Sequence, residues 1–449
     1  DQGAGVPNVG RAHRWLQGGH AVPAVRVEGP GGRDASAAYK LVARGARPDT
    51  VAVFALATAA TDTCRLRSGA PWLRAPARVI TSGGHATVRL TYDAAALASP
   101  GVYTATVSGW TADTLAGPAF RLLNTVVVSY PPAHDVALAA QLAPGGLYRQ
   151  FVMADSGRPF SVVGTSATQG VSLYLHEPDG MPYRDGNGTS AGTGDDAAVY
   201  DVGAQDVVTG GYEVVAVAPP TDGASVSIAV HQSPVTLGLV RDRDGVAATL
   251  VNVTDSAVTA RAAAVLTGTE RRQVILGRGS ERPRLAFTIP AWARGVVVEI
   301  AMERAQWSRF TDLGVTVFDS AGRQLGQEPL NYALGRLQIP IGADHGDIPA
   351  TLVLFPALTD AGSTEAWTVR AAIRLYADSA VTLAPAQGDV PVEVPLAARA
   401  RSTIRFRLGD APWPLGDGFF PLGALVVQAG DRLWSREAGL PTPLPPVMR

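Results

Sequence analysis

Thr87-Val88-Arg89-Leu90-Thr91-Tyr92 alternates strictly, with Val88, Leu90 and Tyr92 apolar and Thr87, Arg89 and Thr91 polar. Successive side chains of a strand point to opposite faces, so a period of two predicts a strand with one face on a core and the other in water. Tyr103 to Val107 and Thr125 to Tyr130 follow in the same style. Strand-like runs then recur at intervals of roughly ten residues nearly to the C-terminal end, with Gly, Pro, Asp and Asn between them, which is the pattern of β-sandwiches in series. Only residues 6 to 17 have a helical period: Val6, Val9, Ala12 and Leu16 share a face, Asn8 can cap the start, and Gly18-Gly19 stops it. The predicted fold class is therefore all-β, with serial β-sandwich and jelly-roll domains preceded by one short N-terminal helix.

Composition agrees with this and excludes several functions. The 449 residues are 46% hydrophobic and 17% charged with a net charge of −1, so no excess of cations points to a nucleic-acid partner. Gly numbers 49 and Pro 33, a content that suits many turns between short strands. Lys40 is the only lysine among 38 cationic residues, and the arginine bias suggests a GC-rich bacterial genome. Cys64 is alone, which rules out an intrachain disulfide or a thiolate zinc cluster within these residues. No apolar run is long enough to span a membrane as a helix. Asp1-Gln2-Gly3-Ala4-Gly5 has neither a basic nor an apolar leader region, so the chain is expected to begin as an internal fragment or a processed product.

Pro131-Pro132 marks a first boundary and Ser233-Pro234 a second. The predicted units are 25–131, a fibronectin- or immunoglobulin-like sandwich; 132–233, a jelly roll; 234–279, a small β unit; 280–378, a second jelly roll; and 379–449, C-terminal strands with a Pro-rich tail. The two jelly rolls look like weak copies of each other. Each opens on a strand (Tyr148 to Phe151, Arg284 to Phe287), passes through an apolar run into an acidic turn (Glu177-Pro178-Asp179-Gly180, Asp319-Ser320-Ala321-Gly322), and closes on alternating strands.

Three segments carry a family resemblance. Gly3-Ala4-Gly5-Val6-Pro7-Asn8-Val9-Gly10-Arg11-Ala12 resembles the last helix of a subtilisin-like serine peptidase domain, which makes 1–24 that helix and a linker. Trp72-Leu73, Tyr92-Asp93, Gly101-Val102-Tyr103-Thr104 and Gly117-Pro118-Ala119-Phe120-Arg121 are similar, in order and spacing, to the sandwich that follows the catalytic domain in tripeptidyl-peptidase II-like subtilases. Pro144-Gly145 leading to Arg149 and Phe151 resembles the galactose-binding-like jelly roll that comes next, also akin to pre-peptidase C-terminal modules of secreted bacterial peptidases. The resemblance implies the non-catalytic C-terminal accessory region of such a peptidase. It would act in scaffolding, assembly or substrate access, with a catalytic subtilase domain or chain as partner, homo-oligomers, and an extracellular or cell-envelope location in a bacterium. A second reading, from a different class, is a secreted or cell-surface tandem-sandwich adhesion protein that binds calcium or glycan.

No serine-peptidase triad is recognised. A subtilase nucleophile sits at a helix start, where backbone N–H groups help to hold the oxyanion. Gly164-Thr165-Ser166-Ala167 lies instead in a strand and turn, and Gly188-Thr189-Ser190-Ala191 in a Gly-rich loop, so Ser166 and Ser190 are expected to be structural. The histidines at 13, 20, 85, 134, 176, 231 and 345 include no His-Gly-Thr-His segment. Asp185, Asn187, Thr189 and Asp196 place oxygens at calcium-loop spacing, although Ser190 stands where an EF-hand needs Gly. Calcium is the only cofactor the residues suggest. Trp307, Phe310 and Phe318, with Arg309 and Asp312, are a candidate sugar face whose plainer reading is core and rim.

Overall fold

The computed structural model describes every residue except 1–9, 11–12, 14–16, 20–24, 31–35, 44–50, 59–60, 83, 113, 115–116, 132–134, 184–187, 194–195, 243–244, 331–332, 410–411 and 442–449. The protein is all-β and multi-domain. Its one helix with fully described residues is the single turn Arg304–Trp307, and no described helix is long and apolar enough to cross a membrane. Of the predicted N-terminal helix, Gly10, His13 and Gln17 are helical and exposed, while Val6, Val9, Trp15 and Leu16 lie outside the described residues. The end of the Pro-rich tail lies outside them as well. The chain divides into two compact units, Asp1–Pro131 with Arg149–Met153, and Pro132–Tyr148 with Ala154–Arg449.

The first unit is a sandwich. One sheet runs in the order Val25–Glu28, Val51–Thr58, His85–Tyr92, Leu73–Arg74, and the other in the order Ala37–Ala43, Phe120–Ser129, Gly101–Trp110, Thr63–Ser68, Arg78–Ile80. All pairings are antiparallel except that of Ala37–Ala43 with Phe120–Ser129, which starts at Ala37 against Leu123. The predicted alternation holds: Val88, Leu90 and Tyr92 point into the core beside Phe54, Val107 and Leu122. Removing each such side chain from water stabilises the fold by about 1.5–3 kcal/mol. Tyr92 brings a hydroxyl inside, where it donates to Asn124 Oδ1 at 2.8 Å, while Asn124 Nδ2 donates to the Leu122 carbonyl at 2.9 Å. Burial pushes the Tyr92 phenol up to about 12, so it stays a donor throughout the physiological range. Cys64 is buried in the same core and unpaired, and burial raises its thiol.

Three cores follow in the second unit. In the first of them the sheet Val136–Leu142, Ala224–Gln232, Phe160–Ser166, Ala198–Val202 packs against strands Gly210–Val217, Val171–His176 and Thr189–Ala191. Phe160 meets Tyr212 edge to face at 4.9 Å. Tyr212 Oη, fully buried, accepts the Val208 N–H at 2.9 Å.

The structure joins what the sequence pattern kept apart. Val235–Asp242, Gly245–Asn252 and Arg401–Phe406 form one sheet, and Leu237, Leu250, Ala262, Phe406, Leu425 and Trp434 share one core. The segment predicted as a small unit at 234–279 and the strands predicted at 379–449 thus bury the same apolar surface, and the 280–378 module is inserted between them in sequence. The hinge of this arrangement is the 21-residue strand Val258–Arg278. Its first half pairs with Phe420–Ala429 and Val392–Leu396, and its second half with Ala366–Thr382, across a bulge between Leu266 and Gly268. At Gly268 a Cβ would collide with the Leu375 carbonyl oxygen, so only glycine lets the strands close there.

The inserted module sets Arg284–Ile289, Ile348–Leu358, Phe310–Asp319 and Gln324–Leu330 against a sheet containing Leu334–Pro340, Ala293–Ala301, Ala366–Thr382 and the end of the long strand. Trp367 fills its centre, donating from Nε1 to the Gly279 carbonyl at 2.8 Å. Trp292, stacked on Trp413 at 5.2 Å, packs against both this core and the preceding one.

Candidate functional site

Ser166 ends strand Phe160–Ser166, is buried, donates its hydroxyl to the Ser225 carbonyl at 3.1 Å and accepts the Thr168 N–H at 3.1 Å. That hydroxyl is committed to backbone. Ser190 is exposed in the edge strand Thr189–Ala191. The described histidines of the second unit face carboxylates or carbonyls: His176 Nδ1 lies 3.3 Å from Glu213, His231 Nδ1 2.9 Å from Asp135, and His345 contacts the carbonyls of Gly346 and Ala293.

Of the calcium-type loop, Asp185 and Asn187 lie outside the described residues. Thr189 pairs with Leu173 in a sheet, and Asp196 is exposed with its carbonyl accepting from Gly192 N. Among the described residues no group of three His, Cys, Asp or Glu is placed to hold a metal ion. Trp307 and Phe310 do come together, stacked at 5.9 Å, but Phe310 also meets Trp367 edge-on at 5.8 Å and belongs to the core of the inserted module. The faces a sugar would need are taken up by packing. Phe318 lies further along the same strand, half-buried, and Arg309 reaches Glu365 at 3.0 Å.

The polar feature that sequence patterning missed is an ion network in the second unit. Glu270, fully buried in the long strand, accepts from Arg374 Nε at 2.9 Å and from Arg272 Nε at 2.9 Å. Arg374 Nη1 also donates to Glu299 Oε1 at 2.8 Å, and Arg336 Nε stands 4.0 Å from the same oxygen. Burial works against the Arg374 charge, yet Glu299, Tyr376 and Glu270 together hold its pKa above the ordinary value. Tyr376 donates to Glu437 at 3.0 Å, and burial with the Glu437 charge raises its phenol. The signal in the sequence was the charged run Glu270-Arg271-Arg272 in the middle of the long strand.

Beside this network lies a cavity of about 240 Å³, lined by Glu177, Tyr183, Asp206, Val208, Leu334 and Arg336 among others. Gln205 ties its floor to strand Arg432–Gly439: its Oε1 accepts Glu437 N at 2.9 Å and its Nε2 donates to Asp206 at 3.0 Å. Glu177 follows strand Val171–His176 and is the anomalous group. Burial first, then the charges of Asp179 and Asp206, push its carboxyl up to about 7.

Fold and site together define a multi-sandwich protein whose described residues contain an ion network and a cavity and no assembled triad or metal centre. No family model matches the chain, and no curated protein does. Among solved structures the chain is similar to the crystal structure of tripeptidyl peptidase 2 (TPP II), with a TM-score of 0.54 and 12% identity over 97% of this chain and 41% of that one. The chain therefore spans well under half the length of that relative, and at this identity the likeness is one of fold. A two-domain protein of unknown function from Bacteroides fragilis aligns over 82% of this chain and 99% of its own at a TM-score of 0.21 and 8% identity, too low to carry an argument.

Proposed function

We propose that this chain is the non-catalytic accessory region of a subtilisin-like, tripeptidyl-peptidase II-type serine peptidase, serving as scaffold, assembly surface or wall of the substrate path. One observation carries the reading: nearly the whole chain, 97% of it, superposes on a part of the TPP II structure. The order of Trp72-Leu73, Tyr92-Asp93, Gly101-Val102-Tyr103-Thr104 and Gly117-Pro118-Ala119-Phe120-Arg121 supports it from the sequence side.

The purified 449-residue chain is expected neither to hydrolyse peptides nor to be labelled by a fluorophosphonate probe. Expressed together with the coding sequence that precedes it in its gene, it is expected to give one labelled serine, located outside these residues. Labelling of Ser166 or Ser190, or absence of any labelled serine in the longer product, would overturn the reading.

A further inference from the structure

Among the described acidic residues that line the cavity, Glu177 is the one whose carboxyl has no hydrogen-bond or ion-pair partner. Glu299 has Arg374 at 2.8 Å, and Asp206 accepts from Gln205 at 3.0 Å with Tyr183 Oη at 3.5 Å. Glu177 uses its backbone N–H on the Met181 carbonyl at 2.7 Å, but among the described residues no donor or cation reaches its side chain, and the charges that raise its pKa are those of Asp179 and Asp206. A carboxylate drawn out of water without a partner is costly, and a charge-assisted hydrogen bond removes most of that cost. The lining also includes Val208 and Leu334, large aliphatic side chains that are 53% and 39% exposed. About 240 Å³ corresponds to roughly eight waters at bulk density, room for a ligand of about eight heavy atoms.

We propose that this cavity binds an alkylammonium or alkylguanidinium group, with Glu177 receiving the cationic head and Val208 and Leu334 flanking the alkyl stem. Arg336 is the lone cation among the described lining residues, against Glu177, Asp206 and Glu299, so the lining as a whole is negative. The same chemistry can come from a free organic amine or from a Lys or Arg side chain of a polypeptide. The inference does not depend on the peptidase reading, because it concerns binding to the chain itself.

The test is calorimetric titration of the full chain at pH 8 with n-butylguanidinium, n-butylammonium and the neutral isostere n-butylurea. The two cations are expected to bind and the urea not. Glu177→Gln is expected to weaken the cations at least tenfold, and Val208→Trp, which fills the mouth, to abolish binding; Glu365→Gln, on the exposed rim elsewhere, is expected to change nothing. A blocked tripeptide with central arginine, set against its citrulline counterpart, separates the sources: binding of the arginine peptide at least as tight as that of butylguanidinium assigns the site to a polypeptide side chain, and weaker binding assigns it to a small free cation. Equal binding of butylurea and butylguanidinium, unchanged affinity in Glu177→Gln, or no heat from either cation overturns the proposal.

Discussion

Glu270 and Arg374 are the residues whose loss should be felt most sharply, because each is a buried charge satisfied only by the other members of its network. Removing one partner of a buried pair leaves an uncompensated charge and costs about 3–5 kcal/mol, whereas replacing both with apolar groups is often near neutral. Arg374→Met is therefore expected to lower the unfolding midpoint in urea strongly. The double variant Glu270→Leu/Arg374→Met is expected to recover most of the loss, and additive losses would mean the two do not act as a pair. Glu177 gives a prediction of opposite character. Its carboxyl is raised from 4.5 to about 7 by folding, so the folded state holds the proton more tightly than the unfolded one. Its contribution to stability is full below about pH 4.5 and is lost as pH rises through about 7. Thermal unfolding followed from pH 5 to 8 should show a decline that Glu177→Gln flattens; an identical slope in the variant would show that the carboxyl titrates normally.

At the scale of elements, the long strand Val258–Arg278 belongs to two cores at once. A strand that must be straight in one sheet and bulged before the next can transmit damage in either direction. Trp434→Ala in one core and Trp367→Ala in the other each remove a large buried ring, at a cost of about 3–5 kcal/mol. Both are expected to shift the same calorimetric transition downward, as is Gly268→Ala, which forces a Cβ against the Leu375 carbonyl. Two separate transitions, each moved by only one of the tryptophan variants, would mean that the shared strand does not couple the cores.

For the whole molecule, the near-zero net charge of −1 leaves little electrostatic bar to self-association. Light scattering of the chain at micromolar concentration is expected to reveal particles larger than one protomer. Monomers throughout would remove assembly from the roles proposed above.

What the sequence by itself determined is what a period of two can carry. Val88, Leu90 and Tyr92 share a face because a strand alternates, and the same rule, repeated between glycines and prolines, was enough to read an all-β chain of sandwiches. Tertiary structure alone decided which strands share a core: Leu237 and Trp434 belong to one core although 196 residues of chain and an inserted module lie between them. Pairing across such a gap depends on complementary edges and burial, and neither leaves a mark in local periodicity. For the same reason Glu177, Asp206 and Leu334, ordinary in their own segments, acquire a meaning only where the fold sets them around one cavity.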